Sequence, residues 1–303
     1  MIPAASKIPA EDVRIPTTGA GSGRGLQDSC TNRLTPRPLR LPSGTVFPAD
    51  GAGVTLFESE VFPMTRVLFA VSGSAHWTLA DGTRHPCGFW PEELAVPHEI
   101  FRGNGFDLVI ATPGAVVPTA DEAGFSPEMN GGSAEPGQRF RAYLESIGGE
   151  LGAPADLNEA DPAEFDFVFV PGGHGPMEDL AASKEFGRLI TEFDAAGKPV
   201  AAVCHGPAAL LPATGADGRW LFAGRRVTGF SNVEEGQVGF ADKAPWLLED
   251  RLVEGGGRFE KSAGAWEPHV VVDGNLYTGQ NPSSSAPLAE RLADALKPVG
   301  TVR

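Results

Sequence analysis

Residues 198–211 read KPVAAVCHGPAALL. The run PVAAVC (199–204) is apolar throughout and ends on a cysteine. Histidine, glycine and proline follow, and then an alanine- and leucine-rich segment with helical character. Strand, sharp turn and helix in that order form an elbow that pushes the side chain of Cys204 out toward solvent. The positive end of the following helix favours negative charge, so this reading expects a thiolate at neutral pH. The plainer alternative is a buried cysteine acting as a small hydrophobe. The His-Gly-Pro that follows favours the chemical reading. His205 is adjacent in sequence and is expected to point away from the sulfur and to need an orienting carboxylate. Glu234 and Glu235, after the next strand, are the candidates.

The same rhythm extends in both directions. Apolar runs at 66–72, 106–112, 165–170 and 225–230 read as strands. Helical patterns occupy 92–105, 138–148, 177–197, 245–257 and 285–297, and HVVVDGNLYTG (269–279) carries the Asp-Gly signal of a hairpin. Strands that alternate with helices and are apolar nearly throughout indicate an α/β fold, with a mostly parallel sheet sandwiched by helices. Residues 64–303 are expected to form one such domain, with 113–150 as a small cap excursion. Residues 1–63 hold 8 of the 27 prolines, and their six Lys/Arg balance six Asp/Glu. They read as a disordered tail, and Met64 stands where a translation start would deliver the domain alone.

The chain has 303 residues and a net charge of −15. A surface this acidic repels phosphate backbones and anionic lipid, so neither nucleic acid nor membrane is an expected partner. No apolar run approaches the length of a membrane span. Three cysteines (Cys30, Cys87, Cys204) are too few and too scattered for a disulfide framework, which fits a reducing cytoplasmic setting. The six histidines show no ligand-type spacing, so no metal is expected.

In open α/β sheets the site lies beyond the carboxyl ends of the strands. VPGGHGP (170–176), AVCHGPA (202–208) and GFSNVEEG (229–236) converge there. Gly172 and Gly173 offer backbone N–H groups as an oxyanion hole, and His174 is a candidate lining residue. A partly buried carboxyl at the head of the first helix would have a raised pKa and reach the sulfur. The residues alone do not choose among Glu92, Glu93 and Glu99. Cys87, six residues before Glu93, reads as an incidental loop cysteine.

AVCHGPA, VPGGHG, PWLLEDRLVEGG and DGNLYTGQNPSS together resemble the PfpI and Parkinsonism-associated deglycase superfamily. The match is nearest to its heat-shock branch of glutathione-independent glyoxalases (glyoxalase III, or D-lactate dehydratase), and covers residues 64 to about 298. The resemblance implies a flavodoxin-like, class I glutamine-amidotransferase-like fold and a homodimer. It selects Glu93, flanked by Gly88 and Pro97 in the branch's pattern. It prefers Glu235, five residues after Phe230, over Glu234. At helix positions where some members carry metal ligands, this chain has Arg102 and Asp107. The implied reaction needs no cofactor: a small aldehyde such as methylglyoxal adds to Cys204, and His205 or Glu93 moves the proton. A holding chaperone or peroxide sensor of the same superfamily is the alternative. An amide hydrolase ranks lower, because a histidine beside the nucleophile looks poorly placed to deprotonate it.

Overall fold

The computed structural model describes residues 64–296. The expectations for residues 1–63, and for the chain beyond 296, lie outside the described residues. In chain order the elements are strand β1 (Arg66–Ala70), hairpin strands β2 (His76–Thr78) and β3 (Arg84–Pro86), helix α1 (Pro91–Gly103), β4 (Asp107–Thr112), α2 (Glu135–Ser146), α3 (Gly148–Leu151) and β5 (Ala155–Asp156). Next come β6 (Phe167–Val170), α4 (Gly175–Glu178), α5 (Lys184–Ala195), β7 (Val200–Val203), β8 (Arg226–Val227), α6 (Asn232–Gln237) and α7 (Leu248–Glu254). The chain continues with β9 (Arg258–Phe259), β10 (Val270–Asp273), β11 (Leu276–Gly279) and α8 (Ser285–Leu296).

Seven strands form one sheet in the order β10-β11-β7-β6-β1-β4-β5. Every neighbouring pair is parallel except the hairpin β10–β11. Every residue of β6 and β7 is buried. A strand buried at consecutive positions has both of its faces covered, which is why these segments are apolar without alternation. Helix α1 packs against α2 and α8. Its Phe101 is fully buried and meets the rings of Phe69, Phe106, Phe167 and Phe169. Phe101→Ala is expected to cost about 3–5 kcal/mol of stability, the range for removing a buried aromatic ring, as read by denaturant unfolding.

Three expected elements differ. The helix read over 177–197 is broken. Asp179 turns its carboxylate inward to accept from Ser72 Oγ and Gly73 N at 2.8 Å each, and also from Leu180 N. Ser183 then caps α5 by accepting from Phe186 N at 3.1 Å. The strand read over 225–230 shortens to β8, which pairs in parallel with β9 outside the seven-stranded sheet. The segment after Cys204 is a five-residue 3-10 turn, Gly206–Leu210, rather than an α-helix. The hairpin β2–β3 and the short β5 carry no apolar run long enough to announce them. Among the described residues no helix is long and apolar enough to cross a membrane.

The carboxyl ends of β1, β6 and β7 lie side by side. They deliver Ser72, the Pro171–Gly175 loop and Cys204 to one edge of the sheet, where parallel α/β sheets leave a crevice.

Candidate active site

Cys204 follows directly on β7. Its backbone φ is +59°, one of three positive values at non-glycine residues among those described. A side-chain-bearing residue in this left-handed region is strained, and such strain persists only where the surroundings fix it. Here Cys204 N donates to Gly279 O at 2.9 Å, and Phe230 N donates to Cys204 O at 2.8 Å. The elbow is therefore clamped between β11 and the loop that leads to α6.

The sulfur does not face solvent, as the elbow alone suggests: Cys204 is 3% exposed. It lies in a cavity of about 30 Å³ walled by Trp90, Met129, Phe230, Val238, Trp266 and Pro282. Nor is the thiol acidic at rest. Burial pushes its pKa well above the ordinary thiol value, an ionised Glu93 would push it further, and the Gly173 N–H opposes this. No α-helix follows to supply a compensating dipole. The resting site therefore holds a thiol, contrary to the thiolate expected from the elbow.

Glu93 sits in the first turn of α1, anchored where Trp90 N donates to Gly172 O at 3.0 Å. Its side chain is fully buried. One carboxyl oxygen accepts from Gly172 N at 2.8 Å, and the carboxyl lies beside the Cys204 sulfur. Burial holds this acid protonated well above the usual carboxylate range. Glu93 and Cys204 thus face each other as two neutral acids. Gly172 and Gly173 are required by space. A Cβ on Gly172 would stand 2.6 Å from Glu93 Oε2 and 2.7 Å from His205 N. Gly173 has φ +84° and would press a Cβ to 2.3 Å from Gly88 O. Because Gly172 N–H is engaged by Glu93, the N–H facing the sulfur is that of Gly173.

His205 does not turn away from its neighbour. Its Nδ1 lies 3.4 Å from Cys204 Sγ, and its Nε2 lies 2.7 Å from Glu235 Oε2. The strained backbone at Cys204 allows adjacent side chains to meet, which sequence adjacency seemed to forbid. Burial lowers the His205 pKa, as does His174 nearby, while Glu235 raises it; the net direction is down. His205 is neutral at neutral pH and has a nitrogen free to accept the thiol proton.

The adjacent glutamates have separate tasks. Glu234 forms a capping box with Ser231 at the start of α6 and accepts from Gln280, Asn281 and the Trp266 backbone. One position further round the helix, Glu235 accepts both histidines, with His174 Nε2 on Oε1 at 3.0 Å. Burial alone would raise the Glu235 pKa, but the two histidines outweigh it and hold the carboxyl far below its ordinary value. The Ser-x-x-Glu pattern at 231–234 is itself a capping signal. Read as such, it assigns Glu234 to the cap and leaves Glu235 for the histidine without any resemblance.

Sequence reasoning placed His174 in the site but missed its partners. Its ring stacks on Trp77 of β2 at 4.5 Å between centroids, and lies 4.3 Å from the His205 ring. No local pattern marks Trp77, because the hairpin reaches the site only through tertiary packing. His174, His205 and Glu235 bring three donor atoms within 4.8 Å of one another, a grouping able to take a metal ion that spacing along the chain does not reveal. Without an ion, both histidines are already satisfied by the carboxylate. Arg102 and Asp107 are paired elsewhere, with Glu150 and Arg66 respectively. Cys87 is buried, and burial pushes its thiol up to about 12, with Asp121, Glu178 and Asp179 adding to the shift. Such a thiol is inert.

A family model described as the DJ-1/PfpI family matches residues 88–295. The chain is 37% identical over 191 residues to the glutamine amidotransferase-like class 1 domain-containing protein 1 of Bos taurus, covering 62% of this chain and 79% of that protein. It is 29% identical over 237 residues to the glutathione-independent glyoxalase HSP31 of Saccharomyces cerevisiae, covering 77% and 98%. The crystal structure of glyoxalase III from Candida albicans matches with a TM-score of 0.66 and 25% identity, over 77% of this chain and 97% of that one.

Proposed function

The chain belongs to the DJ-1/PfpI family, and from that membership and the Cys204 site we propose that it is a glutathione-independent glyoxalase, converting 2-oxoaldehydes such as methylglyoxal to 2-hydroxy acids. The observation that carries this reading is a buried nucleophile touched by two proton carriers of opposite kind. His205 is neutral and basic, while Glu93 is neutral and acidic. Isomerising an oxoaldehyde requires one group to take a proton from carbon and another to give one to oxygen. Relatives named for this activity, HSP31 and glyoxalase III, align over most of the chain.

The reaction runs as follows. His205 Nδ1 takes the thiol proton as Cys204 Sγ attacks the aldehyde carbon, and the proton passes to the new alkoxide, giving a hemithioacetal. His205, neutral again, removes the hydrogen on that carbon. Glu93 protonates the adjacent ketone oxygen, giving an enediol. The imidazolium returns its proton to the second carbon. The first carbon's hydroxyl proton restores Glu93, leaving a thioester of the 2-hydroxy acid. Water cleaves it and regenerates the thiol. Glu235 stabilises the imidazolium at each stage, and no oxidant or second thiol enters. Cysteine suits both ends of this sequence, as an effective nucleophile and a good leaving group.

Incubating the purified protein with methylglyoxal in glutathione-free buffer tests the reading. Accumulation of D-lactate is expected, and its absence overturns the glyoxalase assignment. The D-configuration, a homodimeric state and residence in a reducing cytoplasm belong to the same proposal. The pH profile is a further expected result. The base must be neutral, and burial sets its pKa below 6.5, so the acid limb of kcat/KM should lie below pH 6.5. A limb at or above that value would remove His205 as the base.

A Cys-His-Glu triad also serves amide hydrolysis, and the 3.4 Å contact removes the objection raised from sequence adjacency. Two features favour the small aldehyde. The cavity at the sulfur is about 30 Å³, and one of the two glycine N–H groups that would hold an oxyanion is engaged by Glu93.

A further inference from the structure

The cavity at Cys204 does not end at the sulfur. Trp90, Met129, His174, Val238, Trp266 and Pro282 also border a vestibule of about 710 Å³, to which His85, Glu92, Asp121, Glu128, Gln237 and Phe240 are added. Among the described residues no lysine or arginine lines either space. Arg139 is paired with Glu99, and the Lys243 ammonium sits over the Phe240 ring. The charged groups facing the vestibule are carboxylates. A substrate bearing a carboxylate or phosphate would therefore meet repulsion from Glu92, Asp121 and Glu128, with no lysine or arginine in the lining to pair with. Next to the sulfur the walls are the Trp90 and Trp266 indoles, the Phe230 ring, Met129, Val238 and Pro282, beside the His174 and His205 imidazoles.

One wall is held at a cost. Trp266 has a backbone φ of +69°, a conformation that bulky residues avoid. Three contacts fix it there. Its backbone N donates to Glu234 Oε1 at 2.9 Å, its indole Nε1 donates to Gln237 Oε1 at 2.6 Å, and its ring meets Phe230 edge-on at 5.6 Å. Glu234 also caps the helix that presents Glu235, so the wall and the triad acid are placed by one side chain. Strain held this firmly beside a reactive centre points to a task for the indole. Filling a pocket sized for a methyl group does not demand it, because a methyl group reaches little beyond the inner cavity.

We propose that the preferred substrate is an uncharged aryl 2-oxoaldehyde, with its two carbonyl carbons in the inner cavity and its ring between Trp90 and Trp266 where the cavity opens into the vestibule. This rests on the glyoxalase reading and names the substrate class of that site. The selecting residue is Trp266, on the segment between β9 and β10. Trp90, at the head of α1, lines the same two spaces. Aromatic rings favour such offset or edge contacts beyond their area of burial.

The test compares kcat/KM for phenylglyoxal and methylglyoxal in wild type, Trp266→Ala and Trp266→Phe. Wild type is expected to favour phenylglyoxal by about tenfold or more, within what an apolar pocket discriminates. The ratio should fall about tenfold in Trp266→Ala and be largely kept in Trp266→Phe, since phenylalanine restores an aromatic wall. A wild-type preference for methylglyoxal, or a ratio unmoved by Trp266→Ala, overturns the proposal while leaving the glyoxalase reading intact. If neither aldehyde is turned over, that reading fails and selectivity is read from protection instead. 1-Phenyl-1,2-propanedione, which has no aldehyde hydrogen, should shield Cys204 from iodoacetamide at a concentration about tenfold lower than butane-2,3-dione. Equal protection by the two diones overturns the proposal by that route.

Discussion

Cys204→Ser should reduce methylglyoxal turnover by about a thousandfold or more, the scale seen when a nucleophile is removed from a site whose parts act as a unit. The substitution preserves size and the hydrogen bonds to Gly279 and Phe230, so the elbow should survive and circular dichroism should match wild type. What changes is proton affinity and leaving ability. A serine hydroxyl holds its proton far more tightly than a thiol, and His205, whose pKa burial lowers, is too weak a base to remove it. The product would also be an oxygen ester, without the thioester's reactivity toward water. Lactate formation in Cys204→Ser within tenfold of wild type would rule out covalent catalysis by this residue. In the wild type, an acid quench during turnover should leave a hydroxyacyl adduct on the peptide that contains residue 204, detectable by mass spectrometry.

The contrast between Cys204 and its surroundings explains how much a linear chain can declare. The elbow was legible because its parts are contiguous: an apolar strand, then cysteine, histidine, glycine and proline. The parallel sheet was legible for the same reason, since β6 and β7 are uninterrupted apolar runs between helical patterns. The depth of the sulfur was not legible. It is set by Met129 from the segment after β4, by Trp266 from the segment before β10, and by Glu93 from α1. These lie up to 111 residues away in the chain. The resting protonation state follows from that depth, so the thiolate expected from the elbow fails along with the expected exposure. Glu235 occupies a middle position. Resemblance preferred it, yet the capping signal of Ser231 and Glu234 would have reached the same choice from physical chemistry alone.

The helix break at Asp179 illustrates the remaining loss. The apolar stripe of Phe186, Leu189, Ile190 and Phe193 continues the helical period, and nothing local forbids one helix across 177–197. The competing demand is tertiary. Ser72 and Gly73, at the end of β1, present donors that Asp179 satisfies only by leaving the helical path. That turn ties the end of α4 to the end of β1, and α4 follows directly on His174. A long-range hydrogen bond at the strand end thus takes precedence over local helical propensity, and the beneficiary is the active-site loop.

Glu235→Gln should lower kcat/KM by about a thousandfold, comparable to removing the orienting acid of other nucleophile–histidine–acid triads. The carboxylate now accepts from both histidines, His174 on Oε1 and His205 on Oε2. An amide has one acceptor and one donor end. It can receive the N–H of one histidine only by donating to the other, so the two imidazoles can no longer both keep their present tautomers. If the amide donates to His205 Nε2, the ring proton moves to Nδ1, and the nitrogen 3.4 Å from the sulfur can no longer accept the thiol proton. If it donates to His174 instead, His205 keeps its tautomer, but its imidazolium loses a buried counter-charge. The two routes are told apart by the pH profile. The counter-charge is lost in both routes, so the acid limb moves to still lower pH in either; the wrong tautomer shows in addition as a plateau lowered at every pH. The same variant has a second expected signature in stability. Glu235 ionises in the fold far below its unfolded value, so its contribution is present above about pH 4.5 and is lost as pH falls below that. Glu235→Gln should therefore be less stable than wild type near neutrality, with the gap closing toward acid pH. A gap that stays constant with pH, or turnover within a few-fold of wild type, would show that the carboxylate charge is not what holds the two histidines in place.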